Sequence, residues 1–112
     1  MKYKPTLLID LDGVLNTYCG KYKKDYIPPI KDGANDFLKS IYDNYILILF
    51  TTREKELAQK WLSDNKIDKY FEDITNVKIP AYLIIEDRSI CFKGDYNLLI
   101  EDINNFEVWH KK

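Results

Sequence analysis

Short apolar runs alternate along the chain with segments of helical periodicity. The runs are rich in Ile, Leu, Phe and Tyr and have the length of β-strands; they span residues 7–9, 45–50, 71–74 and 82–85. Apolar residues recur on one helical face over residues 32–42, 54–65 and 95–104. Strands that alternate with helices in this way pair in parallel through crossover connections. The pattern therefore predicts an α/β fold in three layers, with a mainly parallel sheet between helices.

Two carboxylates end the first apolar run. Asp10 and Asp12 are two positions apart, so both side chains of a strand at this point would face the same side. Gly13 lets the chain turn away directly afterwards. Two like charges at one point repel each other unless a cation lies between them. Carboxylate oxygens suit Mg²⁺, which binds through one or two carboxylates together with substrate phosphate, so the pair indicates phosphate chemistry.

Polar residues also end two later runs. Thr51 follows the run at 45–50, and Glu86 and Asp87 follow the run at 82–85. In open α/β sheets the ligand crevice lies beyond the carboxyl ends of the strands. We therefore expect these side chains to lie near Asp10, although they are distant from it in sequence.

Length and composition limit the class of protein. The chain has 112 residues, of which 46% are hydrophobic and 31% are charged, and this is typical of one soluble globular domain. The formal net charge of -1 argues against a domain that holds nucleic acid by its overall field. The N-terminal segment is too short and too polar for a signal peptide or a membrane span, so we expect a cytoplasmic protein with no membrane partner.

Two cysteines and one histidine add little chemistry. Cys19 and Cys91 are too few for a disulfide framework and lack the spacing of a metal motif, so we expect reduced thiols. His110 lies in a segment that we expect to fray, which argues against a histidine-based mechanism. Phe106 and Trp109 either dock on the core or mediate a homo-oligomer, and the sequence leaves both open.

Residues 16–30 form the one long stretch without strand or helix periodicity. A loop of this length inside a compact domain tends to be functional, and we expect a flap beside the crevice. Its basic and aromatic residues would attract an acidic substrate, stack on a base or form an ordinary solvated surface. These residues are Tyr18, Lys21, Tyr22, Lys23, Lys24 and Tyr26.

Together the polar positions resemble the four motifs of the haloacid dehalogenase (HAD) superfamily of phosphotransferases. The stretch Asp10-Leu11-Asp12-Gly13-Val14 is similar to its DxDG(T/V) signature, and Thr51 to the Thr or Ser of its second motif. Lys78 is similar to the lysine of the third motif, and Glu86-Asp87 to the acidic pair of the fourth. The resemblance covers essentially the whole chain and implies a Rossmann-like α/β/α sandwich.

The resemblance implies a two-step phosphoryl transfer. Asp10 would attack phosphorus and form an aspartyl-phosphate, which splits one difficult displacement into two. Asp12 would protonate the departing oxygen and later take a proton from the attacking water. Mg²⁺, the implied cofactor, would be held by Asp10, the main-chain carbonyl of Asp12 and Asp87.

The other motif residues would handle the phosphoryl group. Thr51 and Thr52 would hold its oxygens, and Lys78 would neutralise its charge. Arg53 would grip a second anionic group of the substrate, or else is an exposed residue at the start of a helix. Glu86 stands where the family usually has Asp, and we expect it to orient Lys78 rather than to bind the metal.

Only residues 14–44 and 52–77 separate the motifs, so we expect a member without a cap domain. The sequence thus predicts a Mg²⁺-dependent phosphomonoester phosphatase that acts on a phosphorylated small molecule or a phosphorylated macromolecular end. One alternative is a nucleotide or polynucleotide-end phosphatase, which the net charge does not favour. Another is a non-catalytic module that binds a phospho-ligand or a partner. Taken singly, Thr51, Lys78 and Glu86-Asp87 also fit a strand residue, a surface lysine and a helix cap.

Overall fold

Four strands form one sheet in which every neighbouring pair is parallel. The computed structural model describes residues 3–111. The strands are β1 (Thr6–Asp10), β2 (Ile46–Phe50), β3 (Phe71–Thr75) and β4 (Leu83–Ile85). Their order across the sheet is β3-β2-β1-β4, so β1 lies between β2 and β4. The predicted α/β fold with a parallel sheet is confirmed, and this topology is compatible with a Rossmann-like fold.

Three α-helices accompany the sheet: α1 (Ala34–Tyr42), α2 (Lys55–Asp64) and α3 (Tyr96–Asn105). The predicted strands and helices agree with the observed ones to within two residues at each end. The start of α3 is set by Asp95, whose carboxylate accepts hydrogen bonds from the backbone N–H groups of Asn97 and Leu98. Two short 3₁₀ turns, Asp68–Tyr70 and Trp109–Lys111, complete the regular structure of the described chain.

The main core joins the sheet to α1 and α2. One set of alternating strand residues meets the apolar stripes of the two helices, as the period-2 and period-3.6 patterns require. This core includes Leu7, Ile9, Leu47, Leu49 and Ile74 from the strands and Ala34, Leu38, Ala58 and Leu62 from the helices. Helix α3 differs, because it buries none of its residues within the described chain. A three-layer arrangement without a cap therefore stays a prediction.

The connection from β3 to β4 determines where residues 76–82 lie. It contains no helix or strand, and it returns from one edge of the sheet to the other, since β2 and β1 lie between β3 and β4. Neighbouring strands are about 4.8 Å apart, so the end of β3 lies about 10 Å from β1 across the sheet.

Across residues 3–111, no helix has the length and apolar character needed to cross a membrane.

Candidate functional site

The strand register brings the polar residues to one end of the sheet. Asp10, the last residue of β1, pairs with Phe50 of β2, and Ile9 pairs with Ile85 of β4. The residues that follow β2 and β4 therefore flank Asp10 on both sides. Here a cavity of about 350 Å³ is lined by Asp10, Asp12, Tyr18, Tyr22, Phe50, Thr51, Thr52, Glu86, Asp87 and Arg88.

The surroundings of Asp10 disfavour the ionised form of its carboxyl group. The pKa of Asp10 is raised to about 7, and burial is the largest cause. A hydrogen bond from the backbone N–H of Leu11 to Oδ1 at 2.8 Å lowers it, and the negative charges of Asp87, Asp12 and Glu86 contribute to the rise. Oδ1 is thus occupied, which leaves Oδ2 for a ligand. A cation at this point would favour the ionised form that a nucleophile needs.

The carboxylate of Asp87 lies against the backbone of Gly13. A Cβ at Gly13 would overlap Asp87 Oδ2 and lie 2.7 Å from its Cγ, so no larger residue fits there. The φ angle of Gly13 is 84°, which also favours glycine. Asp87 Oδ2 is buried and has no hydrogen-bond partner in the described chain. A buried carboxylate oxygen without a donor is the kind of atom that a cation satisfies.

Asp10 and Asp87 fit a magnesium site in which water and substrate supply the remaining ligands. Within residues 3–111, no three His, Cys, Asp or Glu side chains form a ready metal-binding group. Mg²⁺ does not require one, because it keeps several waters and binds through one or two carboxylates plus substrate phosphate. The unpartnered oxygen of Asp87 and the raised pKa of Asp10 both agree with a missing positive charge.

Asp12 is held by two side chains. Arg53 donates from Nε to Asp12 Oδ2 at 2.7 Å and from Nη2 to Oδ1 at 3.1 Å. Asn16 donates from Nδ2 to the same Oδ1 at 3.1 Å. The Oδ1 of Asn16 in turn accepts from the backbone N–H groups of Gly13 and Tyr18. Asp12 is therefore fixed in orientation at the mouth of the cavity, and Asn16 connects it to the start of the flap.

Arg53 is buried, so the alternative of an exposed residue at a helix start is wrong. Its side chain has no solvent exposure, against 19% for Asp12. Besides Asp12 it binds the backbone carbonyl of Lys23 through Nη1 at 3.0 Å, and its guanidinium lies over the ring of Tyr22 at 4.8 Å from the centroid. These contacts engage it with protein groups, and its role in gripping a substrate anion stays a prediction.

Thr51 and Thr52 both line the cavity. Thr51 is buried, its N–H donates to the carbonyl of Thr75, and its Oγ1 accepts from the N–H of Arg53 at 3.2 Å. Because that hydroxyl is used as an acceptor, its proton is available to a ligand oxygen. Thr52 is exposed beside it.

Lys78 does not belong to the cavity lining. It is exposed and lies just beyond β3, the edge strand separated from β1 by β2. Among the ion pairs of the described chain, none joins Lys78 to Glu86. Arg88 lines the cavity instead. The catalytic and substrate-binding roles of Lys78 stay predictions.

The flap is tied to the body of the domain at both ends. Backbone hydrogen bonds join Thr17 to Pro29 and Lys31 to Leu15, and Trp61 Nε1 donates to the carbonyl of Pro28. The flap is therefore a structured loop beside the cavity, as expected of its position. Cys19, at its exposed surface, is a free thiol, and so is Cys91.

The C-terminal segment packs against the loop after β1, contrary to the expectation that it frays. Val108 is buried, and Trp109 Nε1 donates to the carbonyl of Gly13 at 2.8 Å. Trp109 thus contacts the chain's own fold through its indole N–H, while much of its ring and that of Phe106 stay exposed, and the homo-oligomer stays a prediction.

Four residues of the site were not identified from the sequence: Asn16, Phe50, Arg88 and Trp109. Asn16 follows Asp12 by four positions, and this short separation is a weak signal that the two side chains could meet. Arg88 directly follows the acidic pair, and this position beyond the end of β4 is the signal that could have identified it. The contact of Trp109 with Gly13 joins residues 96 positions apart, and no local pattern indicates it.

Comparisons with known proteins give the fold. No protein-family profile matches the chain. No curated protein matches it either. Among solved structures, the chain is similar to a conserved protein from Bacteroides thetaiotaomicron, at 22% sequence identity over 96% of each chain and with a TM-score of 0.62. At this identity, the two proteins share an α/β fold, and the likeness establishes no activity.

Proposed function

We propose that this protein is a Mg²⁺-dependent phosphomonoester phosphatase of the HAD type, with a capless three-layer domain. The observation that carries the proposal is the convergence of Asp10, Asp87 and Thr51 on one cavity, with a buried carboxylate oxygen of Asp87 that has no partner in the described chain. Two carboxylates and a hydroxyl at the ends of parallel strands suit a phosphate and a divalent ion together.

The chain's own residues support two displacement steps. Asp10 Oδ2 attacks phosphorus, an O–P bond forms, and the bond from phosphorus to the ester oxygen breaks while Asp12 gives that oxygen a proton. In the second step the oxygen of a water molecule attacks phosphorus while Asp12 takes a proton from that water. The bond between phosphorus and Asp10 Oδ2 breaks, and inorganic phosphate leaves. Mg²⁺, when bound by Asp10 and Asp87, would supply the positive charge that lets an anionic nucleophile approach an anionic phosphate.

Phosphoryl oxygens need donors in the same cavity. The hydroxyl of Thr51 and the backbone at Thr52 are placed to supply them. Arg88 is the cation of the cavity lining and would compensate the charge on the transferred group, the role that the resemblance gives to Lys78.

The test is phosphate release from a panel of monoesters with Mg²⁺ or with a chelator. The wild type is compared with Asp10→Asn and with Asp36→Asn, an exposed acid on α1 that serves as the control. We expect Mg²⁺-dependent turnover in the wild type and the control and its loss in Asp10→Asn. Equal turnover in Asp10→Asn, or turnover that the chelator does not affect, would overturn the proposal.

A non-catalytic phospho-ligand module is the alternative from a different class. It is favoured by one observation: both oxygens of Asp12 already accept hydrogen bonds from Arg53 and Asn16. A binding module would retain affinity for Mg²⁺ and a phosphate mimic and would release no phosphate from any ester of the panel.

A further inference from the structure

Part of the cavity lining, here called the aromatic wall, is formed by the rings of three residues. Tyr18 and Tyr22 of the flap and Phe50 at the end of β2 line the same space as Asp10 and Asp87. The cavity lining thus combines carboxylates, which suit a phosphate and its cation, with the flat rings of the aromatic wall. A ligand that contacts both kinds of residue has a phosphate and an apolar, planar group.

The lysines of the flap do not line the cavity. Lys21, Lys23 and Lys24 are exposed, and within the described chain they do not belong to the cavity lining. Their positions give no second anion site inside the cavity, as a polyphosphate or a nucleic-acid backbone would need. The cavity volume of about 350 Å³ is at the lower end of small-molecule pockets, so one ring next to the phosphate is the scale that fits.

Tyr22 is held in place by buried groups. The guanidinium of Arg53 lies 4.8 Å from the centroid of its ring, and Arg53 is itself fixed by Asp12 and by the carbonyl of Lys23. A cation against one face of the ring leaves the other face for a ligand. Tyr22 keeps 55% of its surface exposed, so it remains open to a ligand.

Tyr18 is tied to the same network. Its backbone N–H donates to Asn16 Oδ1 at 3.0 Å, and Asn16 binds Asp12. Both tyrosines are therefore connected to the Asp12 carboxylate, at the side of the cavity where the leaving group would depart. The contact of Tyr22 with Arg53 orients one ring before a ligand binds, which favours recognition by stacking.

We propose that the site takes phosphate monoesters whose leaving group carries a planar aromatic ring, bound against Tyr18 and Tyr22. This inference rests on the proposed function for the identity of the reaction, and on the aromatic wall for the substrate class. Stacking on aromatic side chains tolerates different rings, because every ring has a π-face. The inference therefore names the class and not one compound.

Binding of two phosphonates tests the substrate class without any turnover. Benzylphosphonate and cyclohexylmethylphosphonate carry the same anionic group. The ring of the first is flat, and the ring of the second is puckered. With Mg²⁺ present, calorimetry should give a Kd about tenfold lower for benzylphosphonate, which corresponds to about 1.4 kcal/mol. Tyr18→Ala and Tyr22→Leu should remove this preference, and the leucine keeps an apolar group over Arg53. Tyr26→Ala, on the same flap but outside the lining, should keep it.

Turnover of benzyl and cyclohexylmethyl phosphate separates this inference from the proposed function. The two esters release primary alcohols of similar reactivity. A higher kcat/KM for the benzyl ester would therefore reflect recognition of its aromatic ring. Equal Kd values for the two phosphonates overturn the aromatic site, even if both esters are hydrolysed. A preference for benzylphosphonate without hydrolysis of any ester overturns the phosphatase and leaves the aromatic site supported.

Discussion

Arg53 holds the carboxylate of Asp12 in a two-point ion pair, with Nε 2.7 Å from Oδ2 and Nη2 3.1 Å from Oδ1. The side chain of Arg53 is completely buried and that of Asp12 is 19% exposed. A planar guanidinium that meets both oxygens of a carboxylate fixes its orientation as well as its position. The same arginine binds the carbonyl of Lys23, so one side chain aligns both Asp12 and the flap.

Removing Arg53 should cost more than removing any exposed cation. Arg53→Ala leaves Asp12 without its partner, and we expect a loss of about 2–4 kcal/mol in the free energy of unfolding, measured by urea denaturation. Lys60→Ala is the control, since the pair of Lys60 with Asp64 is exposed and should contribute less than about 0.5 kcal/mol.

Arg53→Ala should also release the flap. Trypsin cleaves after lysine, and Lys21, Lys23 and Lys24 lie on the exposed part of the flap. Under conditions in which both proteins are folded, we expect faster cleavage at these sites in Arg53→Ala than in Lys60→Ala. Equal cleavage rates would mean that the other hydrogen bonds of the flap hold it without Arg53.

Gly13 should tolerate no side chain. In Gly13→Ala the new Cβ overlaps Asp87 Oδ2, and the φ angle of 84° adds backbone strain. We expect a destabilisation of more than about 2 kcal/mol and weaker Mg²⁺ binding by calorimetry. Gly20→Ala is the matched control, because its φ is 102° and a Cβ there meets nothing within 4 Å; it should cost only about 1 kcal/mol. A similar loss in both variants would assign the effect to φ alone.

The stability of the metal-free protein should decrease as pH rises from about 4 to about 7. The pKa of Asp10 is about 7 in the folded protein, against 3.8 for an aspartate in water. Between these values the folded state binds more protons than the unfolded state, so the free energy of unfolding falls with increasing pH; above pH 7 this contribution is constant.

Asp10→Asn isolates this contribution. In the presence of a chelator, the thermal midpoint of the variant relative to wild type should rise through this pH range and then level off. Mg²⁺ should raise the midpoint of the wild type at pH 8 more than that of Asp10→Asn, because the ion compensates the carboxylate. A difference between the two proteins that does not change with pH would contradict the raised pKa.

Arg88→Ala and Lys78→Ala distinguish the two candidate cations. Because Arg88 lines the cavity and Lys78 does not, we expect Arg88→Ala to lower kcat/KM by at least about tenfold and Lys78→Ala to lower it less. The opposite order would support the role that the sequence resemblance gives to Lys78, and would require residues 76–82 to approach the substrate.

The sequence predicted the parts of the molecule that depend on local periodicity. The apolar runs located the four strands, and parallel pairing alone brings the residues after β1, β2 and β4 to one end of the sheet. The position of Lys78 was not predictable in this way, since the motif order does not indicate that β3 is an edge strand. The contact of Arg53 with Asp12 joins positions 41 residues apart and depends on side-chain packing.

The hydrogen bond from Trp109 to the carbonyl of Gly13 also has a consequence for synthesis of the protein. The loop that carries Asp12 and Gly13 leaves the ribosome long before Trp109 is translated. Until then the Gly13 carbonyl has only water as a partner, and the backbone under Asp87 lacks one of its supports. We therefore expect the cavity to take its final form only after Trp109 has been translated, when all four strands of the sheet have been made.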